Sequence, residues 1–145
     1  GLFCGVMQGL REVGWHGTRV IATETEGAAS LAAALNAGAL VELPAITSIA
    51  TTLGARKVAA QAFADARDDK VSSVVVSDRA AVEACLRFAD DQRTLVEPAC
   101  GAALAVLYGR HAALAQARYI AVIVCGGIGV THAKLTDWQR ILRQE

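Results

Sequence analysis

Residues 119 to 127 read Tyr-Ile-Ala-Val-Ile-Val-Cys-Gly-Gly, and no other stretch of the chain limits its fold as strongly. A continuous apolar run rich in Val and Ile predicts a strand from Tyr119 to Val124, buried on both faces as in a parallel sheet. Gly126 and Gly127 let the backbone turn sharply and let a ligand come close. Cys125 is thereby placed at the carboxyl end of a strand, where open α/β sheets bind their ligands.

The flanking sequence alternates between helical and strand patterns. Apolar residues at 3, 6, 7, 10 and 13 predict a helix from Phe3 to Val13, stopped at Gly14. Strands are expected at Arg19–Thr23 and Val71–Val76, with a shorter one at Leu40–Leu43 before Pro44. Further helices are expected at Ala28–Ala37, Lys57–Arg67, from Ser77-Asp78 to about Ala89, at Ala99–Ala115 and at Thr131–Leu142. Asp78 is the expected N-cap of the helix that it opens. This alternation predicts an α/β fold: a three-layer, open, mainly parallel sheet with helices on both faces. At 145 residues the chain is one domain or a large piece of one.

Composition narrows the function. Fourteen basic residues balance 14 acidic ones, which argues against nucleic acid as a partner. No charge-free apolar run reaches about 18 residues, so no membrane span is expected. The start, Gly1-Leu2-Phe3-Cys4, has no signal-peptide shape. Cys4, Cys85, Cys100 and Cys125 show no C-x-x-C spacing and read as reduced thiols of a cytoplasmic protein. His16, His111 and His132 are too scattered to suggest zinc.

Four local features have both a plain and a functional reading. Gly126-Gly127-Ile128-Gly129 lacks the further glycine of a dinucleotide fingerprint, since His132 stands there, so a tight turn suffices. Cys125 is either a packed core thiol or a ligand contact. Glu24, in the loop after the first strand, is either a solvated acid or a hard oxygen ligand for a cation. Glu97 precedes a helix, where a carboxylate favours the positive end of the dipole.

Seven blocks, taken in order, resemble one family. They are Leu2-Phe3-Cys4-Gly5-Val6, Gln8-Gly9-Leu10, Glu12-Val13-Gly14-Trp15, Ile21-Ala22-Thr23-Glu24-Thr25, Ile46-Thr47-Ser48, Val96-Glu97-Pro98-Ala99-Cys100-Gly101-Ala102-Ala103 and Val122-Ile123-Val124-Cys125-Gly126-Gly127. Together they resemble the L-serine dehydratases, which also act on L-threonine and are pyridoxal-phosphate enzymes of the tryptophan synthase β-like fold.

The resemblance is to the second half of that family's catalytic domain. It implies that residues 1–145 form the C-terminal part of the cofactor-binding domain. The Schiff-base lysine and the loop for the substrate carboxylate would lie in an N-terminal half, so no catalytic residue is expected within this chain. Lys57, Lys70 and Lys134 match no such position.

The resemblance further implies a phosphate held by the backbone of Gly1 and Leu2 at a helix start, and a pyridine nitrogen facing Cys125. A thiol there, with an ordinary pKa of about 8.5, would leave the nitrogen incompletely protonated. It also implies a monovalent cation, potassium, held by Glu24, Ala28 and Ser30 with carbonyls of Leu53 and Ala55. Thr52 falls where the family often has a small apolar residue against the cofactor ring, and Ile128 where it often has a polar one. A homodimer taking a small amino-acid substrate is implied, with serine racemase as the neighbouring activity; the alternative to an enzyme is a non-catalytic module that binds a phosphate ligand or another protein chain.

Overall fold

The computed structural model describes residues 1–144. In chain order, α1 spans Leu2–Glu12, β1 Val20–Thr25, α2 Ser30–Ala37, α3 Ala60–Asp65, β2 Val71–Val76, α4 Asp78–Gln92, α5 Pro98–Tyr108 and α6 His132–Leu142. Strands β1 and β2 pair in parallel, Val20 against Val71 through Thr25 against Val76. The expected α/β class with a parallel sheet is therefore present, and among the described residues the sheet has these two strands. Helix α5 packs on both strands and α2 on β2. No described helix is long and apolar enough to cross a membrane.

The main core lies where α4, α5 and α6 meet. Ala84, Cys85, Val96, Cys100, Leu104 and Leu135 are buried there, and Val122, Val124, Val130 and Trp138 pack against them. The crossing of α4 and α5 is close because position 101 is glycine. A Cβ at Gly101 would lie 2.5 Å from Cys85 Sγ and against the Ala81 carbonyl. Helix α1 buries only Met7 and packs on α3, where Arg11 pairs with the buried Asp65.

Several expectations are corrected. Tyr119 to Val124 forms no strand. From Ala121 to Cys125 burial alternates: Val122 and Val124 pack on the core, while Ile123 is 48% exposed; Ile120, 44% exposed, lies outside this alternation. The two-residue period of an extended segment is kept, but one face is covered rather than two, and among the described residues no strand pairs with it. Leu40–Leu43 is likewise not a strand; Leu43 only exchanges bonds with Arg56, N–H to carbonyl at 2.8 Å and Nε to carbonyl at 2.9 Å. The small-residue helix ends at Tyr108 rather than Ala115, because Gly109 follows and Arg110 takes a left-handed φ of 49°. The 57–67 helix is trimmed to α3, with Ala59 extended at its start.

The N-cap of α4 is Ser77, not Asp78. Ser77 Oγ accepts from the Ala80 N–H at 3.1 Å, the geometry of a serine cap. The Asp78 carboxylate is engaged elsewhere.

Candidate functional site

Three stretches meet at the carboxyl end of the sheet: the turn from β1 into α2, the loop 47–52, and the start of α5 with the Cys125 corner. Loop 47–52 is fastened on two sides. On the β1 side, the Thr47 N–H donates to the Gly27 carbonyl at 3.0 Å, and the Thr25 and Ser48 hydroxyls lie 2.7 Å apart. Gly27 has a φ of 78°, and a side chain there would strike Thr47 and Ser48, so the close approach requires glycine. On the α4 side, Asp78 accepts from the Ser48 hydroxyl at 2.5 Å and from the Ile49 N–H at 2.9 Å. Thr25 and Ser48 are buried and their hydroxyls are paired within this cluster, which makes it rigid.

Beyond the loop lies a cleft of about 420 Å³. Ser48 to Thr52 form one wall and Glu97 and Pro98 the base. Gly129, Val130, Lys134 and Trp138 form the other wall. Thr52 Oγ1 donates to Glu97 Oε1 at 3.1 Å. Glu97 takes the N-cap position of α5 but makes no side-chain cap bond; its carboxylate is turned to the cleft. Lys134 Nζ stands 4.8 Å from the Trp138 ring centroid, a cation–π distance. The cleft thus carries a carboxylate at its base and a cation on its wall.

The Cys125 corner adjoins this base. Glu97 N–H donates to the Gly126 carbonyl at 3.0 Å. Gly127 packs so closely on Leu95 and Val96 that a Cβ would fall 2.8 Å from Val96 Cα. Cys100 Sγ accepts from the Cys125 N–H at 3.3 Å and lies 3.5 Å from the Gly126 carbonyl. The Cys125 thiol itself is exposed, not packed in the core. Behind it, Cys85 is fully buried; burial, and next the neighbouring Cys100, pushes its thiol up to about 12.

Glu24 sits one residue before the end of β1. Its two carboxylate oxygens accept from the Leu31 N–H at 2.8 Å and the Ala32 N–H at 2.9 Å, capping α2. Burial raises its pKa above the ordinary 4.5, and the two amides pull it back. Ala28 and Ser30 are buried in the same turn. Leu53 closes the short 3-10 turn that continues loop 47–52, and its carbonyl accepts from the Ala55 N–H at 2.8 Å. Gly1 is the N-cap of α1, which has no side-chain cap bond, and open space surrounds it. Leu2 is exposed beside it. Among the described residues no hydrogen bond ties Gly1 or Leu2 to the Cys125 corner.

Sequence reasoning singled out Cys125, Glu24, Glu97 and Thr52, but not Asp78 as a tether, nor Cys100, Lys134 and Trp138. For Asp78 a signal exists: Ser77 and Asp78 are adjacent at one helix start, and one side chain suffices as the cap. Lys134 and Trp138 show i, i+4 spacing on a helix, which is common on any exposed face.

Comparisons with known proteins place this geometry. A family model described as "Pyridoxal-phosphate dependent enzyme" matches residues 1–126. The bovine (Bos taurus) L-serine dehydratase/L-threonine deaminase is 49% identical over 98% of this chain and 46% of its own length. The crystal structure of a fungal L-serine ammonia-lyase from Rhizomucor miehei superposes with a TM-score of 0.85 at 32% identity, covering 94% of this chain and 45% of that one. Maize serine racemase superposes with a TM-score of 0.68 at 30% identity, covering 88% and 40%. This chain spans about half the length of the proteins it matches. With the matched residues taking in β1, the Glu97 helix start and the Cys125 corner, the chain belongs to the pyridoxal-phosphate dependent enzyme family.

Proposed function

We propose that this chain is the cofactor-binding half of an enzyme that converts L-serine to pyruvate and ammonia, and L-threonine to 2-oxobutanoate and ammonia. The observation that carries the reading is the exposed Cys125 thiol, held outward on a corner fastened to Glu97, Leu95 and Cys100. The name of the bovine relative supports the substrates.

The residues fit the cofactor. The uncapped start of α1 offers free N–H groups and the positive end of a helix dipole to a phosphate, with open space at Gly1. When bound, pyridoxal phosphate withdraws electrons from the substrate Cα, so that the α-hydrogen is acidified and the β-hydroxyl leaves. In this reading Gly1 and Leu2 would hold the phosphate and Cys125 would face the ring nitrogen. A thiol is a weak donor, which favours prompt elimination over long storage of charge in the ring. Thr52 stands where the family often has a small apolar residue, and its hydroxyl is engaged by Glu97 rather than assigned to the ring. In a protein carrying both halves, a lysine of the N-terminal half would remove the α-proton.

Glu24, Ala28, Ser30, Leu53 and Ala55 hold a potassium ion in the same reading. Its support is chemical: a cation offsets the burial that disfavours the Glu24 charge, and it would brace the turn that carries loop 47–52. The protein is read as a cytoplasmic homodimer; four free cysteines fit a reducing compartment.

The test is an assay of a protein carrying both halves, with L-serine as substrate. Release of pyruvate and ammonia is expected, with the 145-residue chain alone inactive. Formation of D-serine without pyruvate would move the assignment to a racemase. Changing Cys125 to Ala in that longer protein should shift the absorbance of the bound cofactor.

A further inference from the structure

We propose that Cys100 and Cys125 form an oxidative modification site, closing to a disulfide when hydrogen peroxide reaches the Cys125 thiol. The Cys125 side chain is exposed and open to a small oxidant, whereas Cys100 is buried. The buried sulfur lies 3.3 Å from the Cys125 backbone nitrogen and 3.5 Å from the next carbonyl, at Gly126. Cys100 therefore touches the backbone of the residue whose own sulfur faces solvent, so a sulfur oxidised at Cys125 has a second thiol against its own residue.

The approach of the two residues is fixed from both sides. The Glu97 N–H bond to the Gly126 carbonyl holds the corner to the start of α5, and Gly127 packs on the backbone of Leu95 and Val96. With the corner so held, closure asks for rotation of the Cys125 side chain toward α5. The other thiols are poor competitors. Cys85 is shut in the core, where burial keeps it protonated, and Cys4 is half-buried on α1, whose main packing partner is α3 rather than α5.

The chemistry balances. The Cys125 thiolate attacks one peroxide oxygen, the O–O bond breaks, and the expelled hydroxide takes up the proton the thiol gave up, leaving a sulfenic acid on Cys125 and one water. The Cys100 sulfur then attacks the Cys125 sulfur; the S–O bond breaks, and the hydroxyl departs as water with the Cys100 proton. Two thiols are oxidised, one peroxide is reduced, and two waters form. The bridge turns the Cys125 sulfur inward and withdraws it from any ligand at the corner. Only that last consequence rests on the cofactor reading.

The experiment treats the cofactor-free form of the protein carrying both halves with limiting hydrogen peroxide, followed by alkylation, intact mass and peptide mapping. The expected product is lighter by two hydrogen atoms, links the Cys100 and Cys125 peptides, and regains both thiols with dithiothreitol. In Cys100→Ser the oxidation should stop at a Cys125 sulfenic acid that dimedone traps. Sulfinic acid at Cys125 beside a still-alkylatable Cys100 would overturn the proposal, as would a bridge to Cys85 or between copies. No cofactor is present in this test, so its failure is separate from failure of the proposed function.

Discussion

The Thr52 hydroxyl donates to Glu97 Oε1 across 3.1 Å, joining loop 47–52 to the start of α5 over the base of the cleft. Thr52→Val keeps the side chain's shape and removes the bond. Because the pair is exposed, the expected loss is small, about 0.5–1 kcal/mol in urea denaturation. An unchanged midpoint would mean the tether contributes nothing.

Asp78 and Ser77 allow a sharper comparison. Ser77→Ala removes one helix cap and should cost about 1 kcal/mol. Asp78→Ala strips the buried Ser48 hydroxyl and the Ile49 N–H of their acceptor, so a larger cost of roughly 2–3 kcal/mol is expected. Thermal melts of both variants check the order. Equal costs would return Asp78 to the role of an ordinary first-turn acid.

Glu24 makes stability depend on pH in an unusual direction for a carboxylate. Its folded pKa is raised by burial, so the fold binds its proton more tightly than the unfolded chain does. Its contribution is therefore complete below the unfolded value of 4.5 and is lost as pH rises through the folded value. Glu24→Gln should flatten that part of the stability–pH curve. If potassium binds there, adding it at neutral pH should raise the melting temperature of the wild type but not of the variant. A melting curve indifferent to potassium would remove the cation from the proposed site.

Gly127→Ala should open the Cys125 corner. The added methyl meets the backbone of Leu95 and Val96, which cannot rotate away. The expected cost is roughly 1–3 kcal/mol, as for other overpacked sites. Amide exchange should also quicken at Glu97, whose N–H holds Gly126. Gly129→Ala serves as the control: its Cβ would stand 3.6 Å from Glu97 Oε2, an ordinary contact.

Much of the fold is legible in the sequence where local preference and tertiary context agree. Val71–Val76 is a strand from end to end because its β-branched run suits a pleated ladder. Gly38 ends α2 in a left-handed cap, as its position after a small-residue helix suggests. The errors fall where a segment's state depends on something other than itself. The run 119–124 has the composition of a central strand, but a ladder also needs a neighbour's N–H and carbonyl groups, which composition does not specify. Asp78 looks like a cap because its sequence neighbourhood is that of a helix start; its real partner is about thirty residues away, at Ser48. Cys125 stands out in the sequence because glycines follow it, and the structure leaves it exposed, whereas Lys134 and Trp138 join the cleft only through the placement of α6.

The segment from Tyr119 to Val124 has a practical consequence for anyone handling this chain. It presents exposed Ile120 and Ile123 beside a backbone unclaimed by any ladder among the described residues. Such a tract is a template for intermolecular β-pairing. Solubility at high concentration should hinge on these few residues far more than on the well-packed helices behind them. A charge at Ile123 would be a sensible first gatekeeper against aggregation.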